Sequence, residues 1–127
     1  MIGNEQLQIG IYNQLASTGL KVHAYLPKTA QYPFVNLGEE TMLDISTKNK
    51  KHYELYHTLH TWSQSTNKKE INDMNNEVIE SLSEPFPLGD GFYISRTKLE
   101  MATVLLDPTV EALFHGNLRF QFTISKG

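Results

Sequence analysis

Five histidines are the residues of this sequence best suited to metal binding or acid–base chemistry. His57 and His60 are the closest pair, within a segment whose composition predicts a strand. Side chains three residues apart on a strand point to opposite faces, so this pair cannot share one metal ion. His23, His52 and His115 fall in other predicted elements, and no carboxylate lies at ligand spacing from any of the five. The sequence therefore predicts no metal site.

The remaining polar residues do not form the pattern of a catalytic site. Glu39 and Glu40 are adjacent, and on an extended segment they point to opposite faces, which argues against a shared acid–base role. The serines lack a G-x-S-x-G motif. The segment from Gly89 to Gly91 lacks the Lys-Ser/Thr of a phosphate-binding loop and is interpreted as a turn. We therefore predict a protein without enzymatic activity and without a cofactor.

A basic segment formed by Lys48, Asn49, Lys50 and Lys51 lies between two predicted strands. Exposed lysines can contact phosphate, but no aromatic residue interrupts the segment, and charged loops are commonly only solvated. A polar loop between long strands is also a frequent protein-contact element. Protein docking is the leading hypothesis for this loop, and DNA binding is the alternative.

Trp62 is the only tryptophan of the chain and ends a predicted strand. Its large ring is suited to packing in a core, which is the first interpretation. An exposed tryptophan is also a common anchor of protein interfaces. Trp62 is therefore kept as a candidate interface residue.

The composition is that of a single domain spanning residues 1–127. Apolar residues make up 39% of the chain and cysteine is absent, so a core is expected to form without disulfides. No basic leader and no apolar run of ~20 residues is present, so no membrane association is expected. The formal charge of −3 provides no global attraction to nucleic acid.

Two segments have apolar residues at helical spacing. Residues 4–18 form the first, ending before Gly19, and residues 67–82 form the second, ending before Pro85. In the second, Asn67 and Glu70 are predicted to cap the helix start reciprocally.

Alternating or β-favouring composition predicts strands at residues 20–26, 34–45, 53–62, 92–106 and 118–124. The apolar parity of residues 92–106 changes, which predicts a β-bulge near Arg96. A wide loop is predicted from Asp107 to Gly116. The order of elements favours an α+β fold, with a mainly antiparallel β-sheet and two α-helices packed on one face.

Several short stretches, in this order, resemble the tail-completion family of siphovirus-like phages, also called tail-to-head joining or tail terminator proteins. They are Tyr32-Pro-Phe-Val-Asn-Leu-Gly-Glu-Glu-Thr41, then Ser46-Thr-Lys48 leading into His57-Thr-Leu-His-Thr-Trp-Ser63, then a helix, then Gly116-Asn-Leu-Arg-Phe-Gln-Phe-Thr-Ile124. The chain departs from the family pattern in its longer connection from Asp107 to His115 and in Asn36 within an apolar strand.

The resemblance implies a structural virion protein, assembled in the host cytoplasm. It implies a ring, expected to be a hexamer, that caps the tail tube, contacts the head connector and lets DNA pass without specific binding. We expect the interface residues to be Lys48, Asn49, Lys50, Lys51, Trp62, Asp107 and His115. A head-closure protein of the same assembly and a small DNA-binding module remain the alternatives.

Overall fold

A computed structural model of the chain describes residues 2–127. It contains two helices and five strands, namely α1 Asn4–Ala16, β1 Val22–His23, β2 Phe34–Asp44, β3 His52–Gln64, α2 Lys69–Leu82, β4 Phe92–Leu106 and β5 Leu113–Lys126. The strands form one sheet in the order β1-β2-β3-β5-β4, and every neighbouring pair is antiparallel except β1 with β2. The predicted α+β class with a mainly antiparallel sheet is confirmed.

The centre of the sheet is the pair β3 and β5, which stay in register from His52 opposite Ser125 to Gln64 opposite Leu113. Alternate residues of both strands are buried, so the two strands present the same apolar face. Leu55 lies opposite Phe122, and Leu59 lies opposite Leu118 on that face. This strict alternation is what divides the sheet into a core face and an open face.

Both helices pack on the core face, as predicted. Helix α1 contributes Leu7, Ile11 and Leu15, which are fully buried and spaced about one helical turn apart. Helix α2 contributes a second apolar stripe that joins the same cluster, formed by Met74, Val78 and Leu82 with Ile71 beside it. The core is therefore a single layer between two helices and one sheet face.

Strand β4 is interrupted twice. The register with β5 shifts between Ile94 and Arg96, which confirms the predicted bulge, and again between Leu99 and Met101, which was not predicted. Each bulge changes which side chains face the core. Phe92 and Ile94 are buried, whereas the part of the strand after the first bulge is largely exposed.

The predicted wide loop from Asp107 to Gly116 is wrong, because β5 already begins at Leu113. His115 therefore lies on a strand. The sequence concealed this start because Leu113 and Phe114 are both buried and Gly116 occupies a core-facing position without a side chain. Apolar alternation becomes visible only from Leu118 onward.

Three local predictions also differ from the structure. Helix α1 ends at Ala16 instead of residue 18, and the first strand is two residues long instead of spanning residues 20–26. The reciprocal cap of α2 is absent: the Glu70 carboxylate accepts a hydrogen bond from Ser63 Oγ at 2.6 Å, and Asn67 Oδ1 accepts one from Lys69 N at 2.9 Å. Glu70 therefore ties α2 to β3 instead of closing its own helix.

A histidine and a carboxylate lie together at the edge of the core. His57 is 1% exposed, and its Nε2 lies 3.6 Å from a Glu40 carboxylate oxygen on β2. Burial lowers the pKa of His57, and the nearby Glu40 and Glu39 carboxylates oppose that shift only in part. The folded protein therefore favours the neutral imidazole.

We predict that stability falls as the pH drops below about 6.5, the ordinary pKa of histidine. Because the pKa of His57 is lower in the folded chain, the unfolded chain takes up the proton first as the pH falls. His57→Gln should make the dependence of unfolding free energy on pH shallower between pH 7 and 5.5. Urea denaturation at each pH measures this slope, and a wild-type stability that rises toward pH 5.5 would contradict the assignment.

We also predict that Gly116→Ala destabilises the fold by about 1–3 kcal/mol, the usual range for overpacking. An added Cβ would lie less than 3.0 Å from both Thr61 Oγ1 and Asn75 Oδ1. These atoms form a buried hydrogen bond of 2.6 Å between β3 and α2, so the methyl group displaces it. Gly89→Ala is the matched control, because nothing lies within 4 Å of its added Cβ. Equal urea midpoints for the two variants would refute the prediction.

Candidate assembly surface

The open face of the sheet carries a cluster of aromatic and polar side chains, contributed by β2, β3 and β5. Trp62 and His115 lie opposite each other in register, and their rings stack with centroids 3.7 Å apart and 7° between planes. Trp62 Nε1 donates a hydrogen bond of 2.8 Å to Asn36 Oδ1. The tryptophan is thus held in one orientation by a ring below it and an acceptor at its edge.

His60 extends this cluster. Its Nδ1 lies 2.8 Å from His115 Nε2, and its Nε2 lies 3.1 Å from Glu39 Oε1. Two imidazole nitrogens at this distance share one hydrogen, so at least one of the two rings is neutral there. Burial, followed by the neighbouring His60, lowers the pKa of His115, and the hydrogen bond from His60 lowers the pKa of Glu39. We name Asn36, Glu39, His60, Trp62 and His115 the open-face cluster.

The cluster shows what the sequence could and could not reveal about the histidines. The predicted opposite orientation of Glu39 and Glu40 is confirmed, because Glu39 meets His60 and Glu40 meets His57. The expectation that no carboxylate lies near a histidine is wrong, since strand pairing joins residues about twenty positions apart. In residues 2–127, no group of three or more His, Cys, Asp or Glu side chains is arranged to hold a metal ion.

Trp62 and His115, each predicted from the sequence as an interface residue, lie together in the structure. Asn36, Glu39 and His60 were not predicted as interface residues. Two signals were available: a polar Asn36 in an apolar strand, and the even spacing of His60 and Trp62, which puts both on one face.

The lysine loop lies at one end of the sheet, between β2 and β3. Lys48, Asn49, Lys50 and Lys51 are all exposed, as predicted. Thr47 N donates a 2.9 Å hydrogen bond to the Lys50 carbonyl, which closes a tight turn. Lys50 Nζ lies 5.6 Å from the centroid of the Tyr93 ring, and its hydrogen bond lowers the pKa of the Tyr93 hydroxyl. The loop therefore does have an aromatic neighbour, supplied by β4.

Asp107 lies at the opposite end of the sheet, where it organises the turn between β4 and β5. Its Oδ1 accepts hydrogen bonds from the Thr109 hydroxyl and amide at 2.8 Å and from the Val110 amide at 2.9 Å. These bonds, led by the one from the Thr109 side chain, lower the pKa of Asp107. The turn contacts the end of β3, since Gln64 Nε2 donates to the Glu111 carbonyl at 3.1 Å.

The two loops are thus separated by the whole length of β3. Thirteen residues at a rise of ~3.3 Å put about 40 Å between them. The loop of residues 45–51 carries three lysines, whereas residues 107–112 carry Asp107 and Glu111 and no basic residue. The structure therefore places the predicted interface residues in two loops of opposite charge at the two ends of the sheet, with the pair Trp62 and His115 close to the Asp107 end.

The outer edge of β4 is a further exposed surface that the sequence did not indicate. This strand is the last of the sheet, and four of its apolar side chains are at least one-third exposed, namely Leu99, Met101, Leu105 and Leu106. They point to both faces of the sheet: Met101 and Leu105 lie opposite open-face residues of β5, and Leu99 and Leu106 lie opposite core-face residues. An exposed, apolar edge strand is uncommon in a protein that acts as a monomer.

Of the helices within residues 2–127, neither is long and apolar enough to cross a membrane.

Comparison with known proteins identifies the family. The model of the family "Tail completion protein gp17" matches residues 13–125. The tail completion protein gp17 of Bacillus phage SPP1 is 29% identical over 98 residues, which cover 77% of this chain and 72% of the relative.

Among solved structures, a chain from the virion of a native gene transfer agent particle has the same fold. It superposes with a TM-score of 0.83 over 98% of both chains, at 17% sequence identity. Because the family model spans nearly the whole domain, the chain belongs to the tail completion protein gp17 family and is a structural component of a phage virion.

Proposed function

We propose that the protein forms a ring, with a hexamer as the expected size, at the head-proximal end of the phage tail tube, where it terminates the tail and joins it to the head connector. The observation that carries the proposal is the family match over residues 13–125. In this role the protein acts by binding its neighbours and not by catalysis.

The position of the two loops supports a joining role. A protein that links two partners needs two separate contact surfaces, and residues 45–51 and 107–112 lie at opposite ends of the strands. Their charges differ in sign, so the two ends favour different partners. We assign one end to the tail tube and the other to the head connector, with the lysine loop on the tail side.

The arrangement of titratable groups is compatible with a non-enzymatic role. The pair of His57 and Glu40 is almost closed to solvent, and the His60 and His115 imidazoles are held between Glu39 and Trp62. The first pair lies within the core side of the sheet, and the second is packed against neighbouring rings and side chains of its open face. General acid–base chemistry needs a group within hydrogen-bond reach of a bound substrate.

DNA is proposed to pass through the ring without specific binding. The net charge of −3 gives the chain no overall attraction to phosphate. The lysine loop beside Tyr93 is the one observation that favours the alternative of a small DNA-binding module, because a basic loop with an aromatic neighbour can hold a nucleic-acid strand.

We predict that Lys48→Ala with Lys51→Ala leaves the protein folded but weakens its binding to purified tails that lack it by roughly threefold to tenfold, as expected for loss of two exposed charge contacts. These substitutions keep the backbone of the loop intact. Deletion of residues 48–51 would also remove the Lys50 and Lys51 carbonyls, which accept backbone hydrogen bonds. We expect a chain without residues 48–51 to fold as a monomer and to fail to complete tails. Co-sedimentation with tails measures binding.

The matched control is Lys68→Ala with Lys69→Ala, which removes the same charge beside the start of α2, beyond the far end of β3. This control should keep wild-type affinity for tails. Wild-type protein that ignores tails and binds DNA-filled heads would instead indicate a head-closure protein. Salt-sensitive retention on DNA, lost in the Lys48 and Lys51 variant, would indicate the DNA-binding alternative.

A further inference from the structure

We infer that neighbouring copies in the ring join edge to edge, with β4 of one copy pairing antiparallel to the β1–β2 edge of the next. The inference rests on the proposed ring and names the surfaces that build it. Three observations support it: both outer edges of the sheet are free, strand pairing shows which residues of the two edges are aligned across the sheet, and the aligned residues are complementary. Residues aligned in this way are said to lie at one level.

Both outer edges of the sheet have backbone groups available for pairing. Strand β4 pairs with β5 on one side, and no strand within residues 2–127 pairs with its other side. At the far edge, β1 pairs only with Val35 and Asn36 of β2. The outer side of the β2 segment from Glu40 to Asp44 is therefore without a strand partner in the described chain.

The two edges run in opposite directions. Strand β3 is antiparallel to both β2 and β5, and β5 is antiparallel to β4. Strand β4 therefore runs with β3, whereas β1 and β2 run against it. In a ring whose axis lies along the strands, every copy keeps the same strand direction, so β4 meets its neighbour's edge as an antiparallel partner.

The pairing of each strand with the next shows which residues lie at the same level. Lys98 pairs with Gln121, and Gln121 pairs with Tyr56. Tyr56 also pairs with Thr41. Lys98 and Thr41 therefore lie at one level and on the same, open face, although they are on opposite edges of the sheet.

Charges are complementary at this level. The β4 edge carries Arg96 and Lys98, and its one carboxylate, Glu100, accepts a 3.0 Å hydrogen bond from Arg119 of the same chain. The β2 edge carries Glu39 and Asp44, with Glu39 two positions from Thr41 on the open face. Side chains in directly opposite and diagonal positions on paired strands are within reach of one another. Lys98 of one copy can thus approach Glu39 of the next copy.

Apolar residues are complementary at a second level, that of Leu105 near the end of β4. Leu105 pairs with His115, which pairs with Trp62, which pairs with Phe34, so Leu105 lies level with the start of β2. On that edge Tyr25 is 90% exposed and Leu26 is 45% exposed, shortly after β1, and Tyr32 is 39% exposed just before β2. Apolar side chains of β4 therefore face apolar side chains of the next copy, and cations face carboxylates.

Pairing with a second copy also covers the last part of β4, which follows its two bulges and its charged residues. Exposed edges are usually shortened, charged along their length or covered. Strand β4 is 15 residues long; its charged residues end at Glu100, and residues 101–106 carry no charged side chain and expose Met101, Leu105 and Leu106. Ring closure covers such an edge in every copy with the opposite edge of its neighbour.

Cross-linking tests this geometry directly, because the chain contains no cysteine. Thr41→Cys combined with Lys98→Cys introduces one thiol on each edge at the same level. Treatment with a short bismaleimide, in solution and on purified tails that lack the protein, should produce a ladder from dimer to the full ring on a denaturing gel. Each single variant should give no species larger than a dimer. Thr41→Cys with Val110→Cys is the control, since Val110 lies beyond the end of β4.

A charge placed on the β4 edge gives an independent test. Leu105→Lys should reduce ring formation and retention on tails by about tenfold or more, because it puts a charge into the apolar part of the contact. Ile9→Lys is the matched control: Ile9 is 53% exposed on α1, and Leu105 is 52% exposed. The control should assemble as wild type does, and circular dichroism should show both variants folded.

The outcomes separate this inference from the proposed function. If wild-type protein completes tails but the Thr41 and Lys98 pair gives no more ladder than the control pair, the edge-to-edge contact is overturned and the joining role stands. Assembly by Leu105→Lys at the wild-type level overturns the contact as well. If wild-type protein neither forms rings nor binds tails, the proposed function fails together with the inference.

Discussion

The pairing of β3 with β5 is the interaction on which the rest of the structure depends. Because the two strands keep one register from His52 to Gln64 without a bulge, every second side chain is committed to the core face over the full length of the sheet. A shift of one residue would expose Leu55 and Leu59 and bury Glu54 and Tyr56. The same register fixes the open-face cluster, since it puts Trp62 opposite His115. The core and the outer surface are thus two results of one pairing.

Local signals were sufficient for the elements whose faces differ clearly in polarity. Helix α2 and the first bulge of β4 follow from the spacing of apolar residues, and the strands β2 and β3 follow from their β-favouring composition; the structure confirms all four. Predictions from local sequence failed where a residue bonds to, or packs against, a distant part of the chain. Glu70 bonds to Ser63 instead of capping its helix, and Gly116 hides the start of β5 because a core position there has no side chain. Contacts between strands, such as Glu39 with His60, are set by register and have no signature in a single sequence.

The ends, the edges and the two faces of the sheet carry different kinds of side chain. Along the strands, the two ends differ in charge, with lysines at residues 48–51 and carboxylates at Asp107 and Glu111. Across the strands, the β4 edge and the β1–β2 edge differ in composition, and their strands run in opposite directions. Perpendicular to the sheet, helices cover one face and a set of aromatic and imidazole rings occupies the other. A small domain of this kind can contact several neighbours at once, because these surfaces face in different directions.

The hydrogen bond between Thr61 and Asn75 has a mechanical consequence. It crosses from the sheet to α2 through the space left by Gly116, at a point where the helix approaches the backbone of β5. Apolar contacts are non-directional, so by themselves they specify the position of a helix on a sheet less sharply than a hydrogen bond does. The buried polar bond adds that specificity, since any sliding of the helix leaves a donor and an acceptor unpaired. Because Gly116 has no side chain, the hydrogen bond between Thr61 and Asn75 can form, and this bond sets the position of α2 on the sheet.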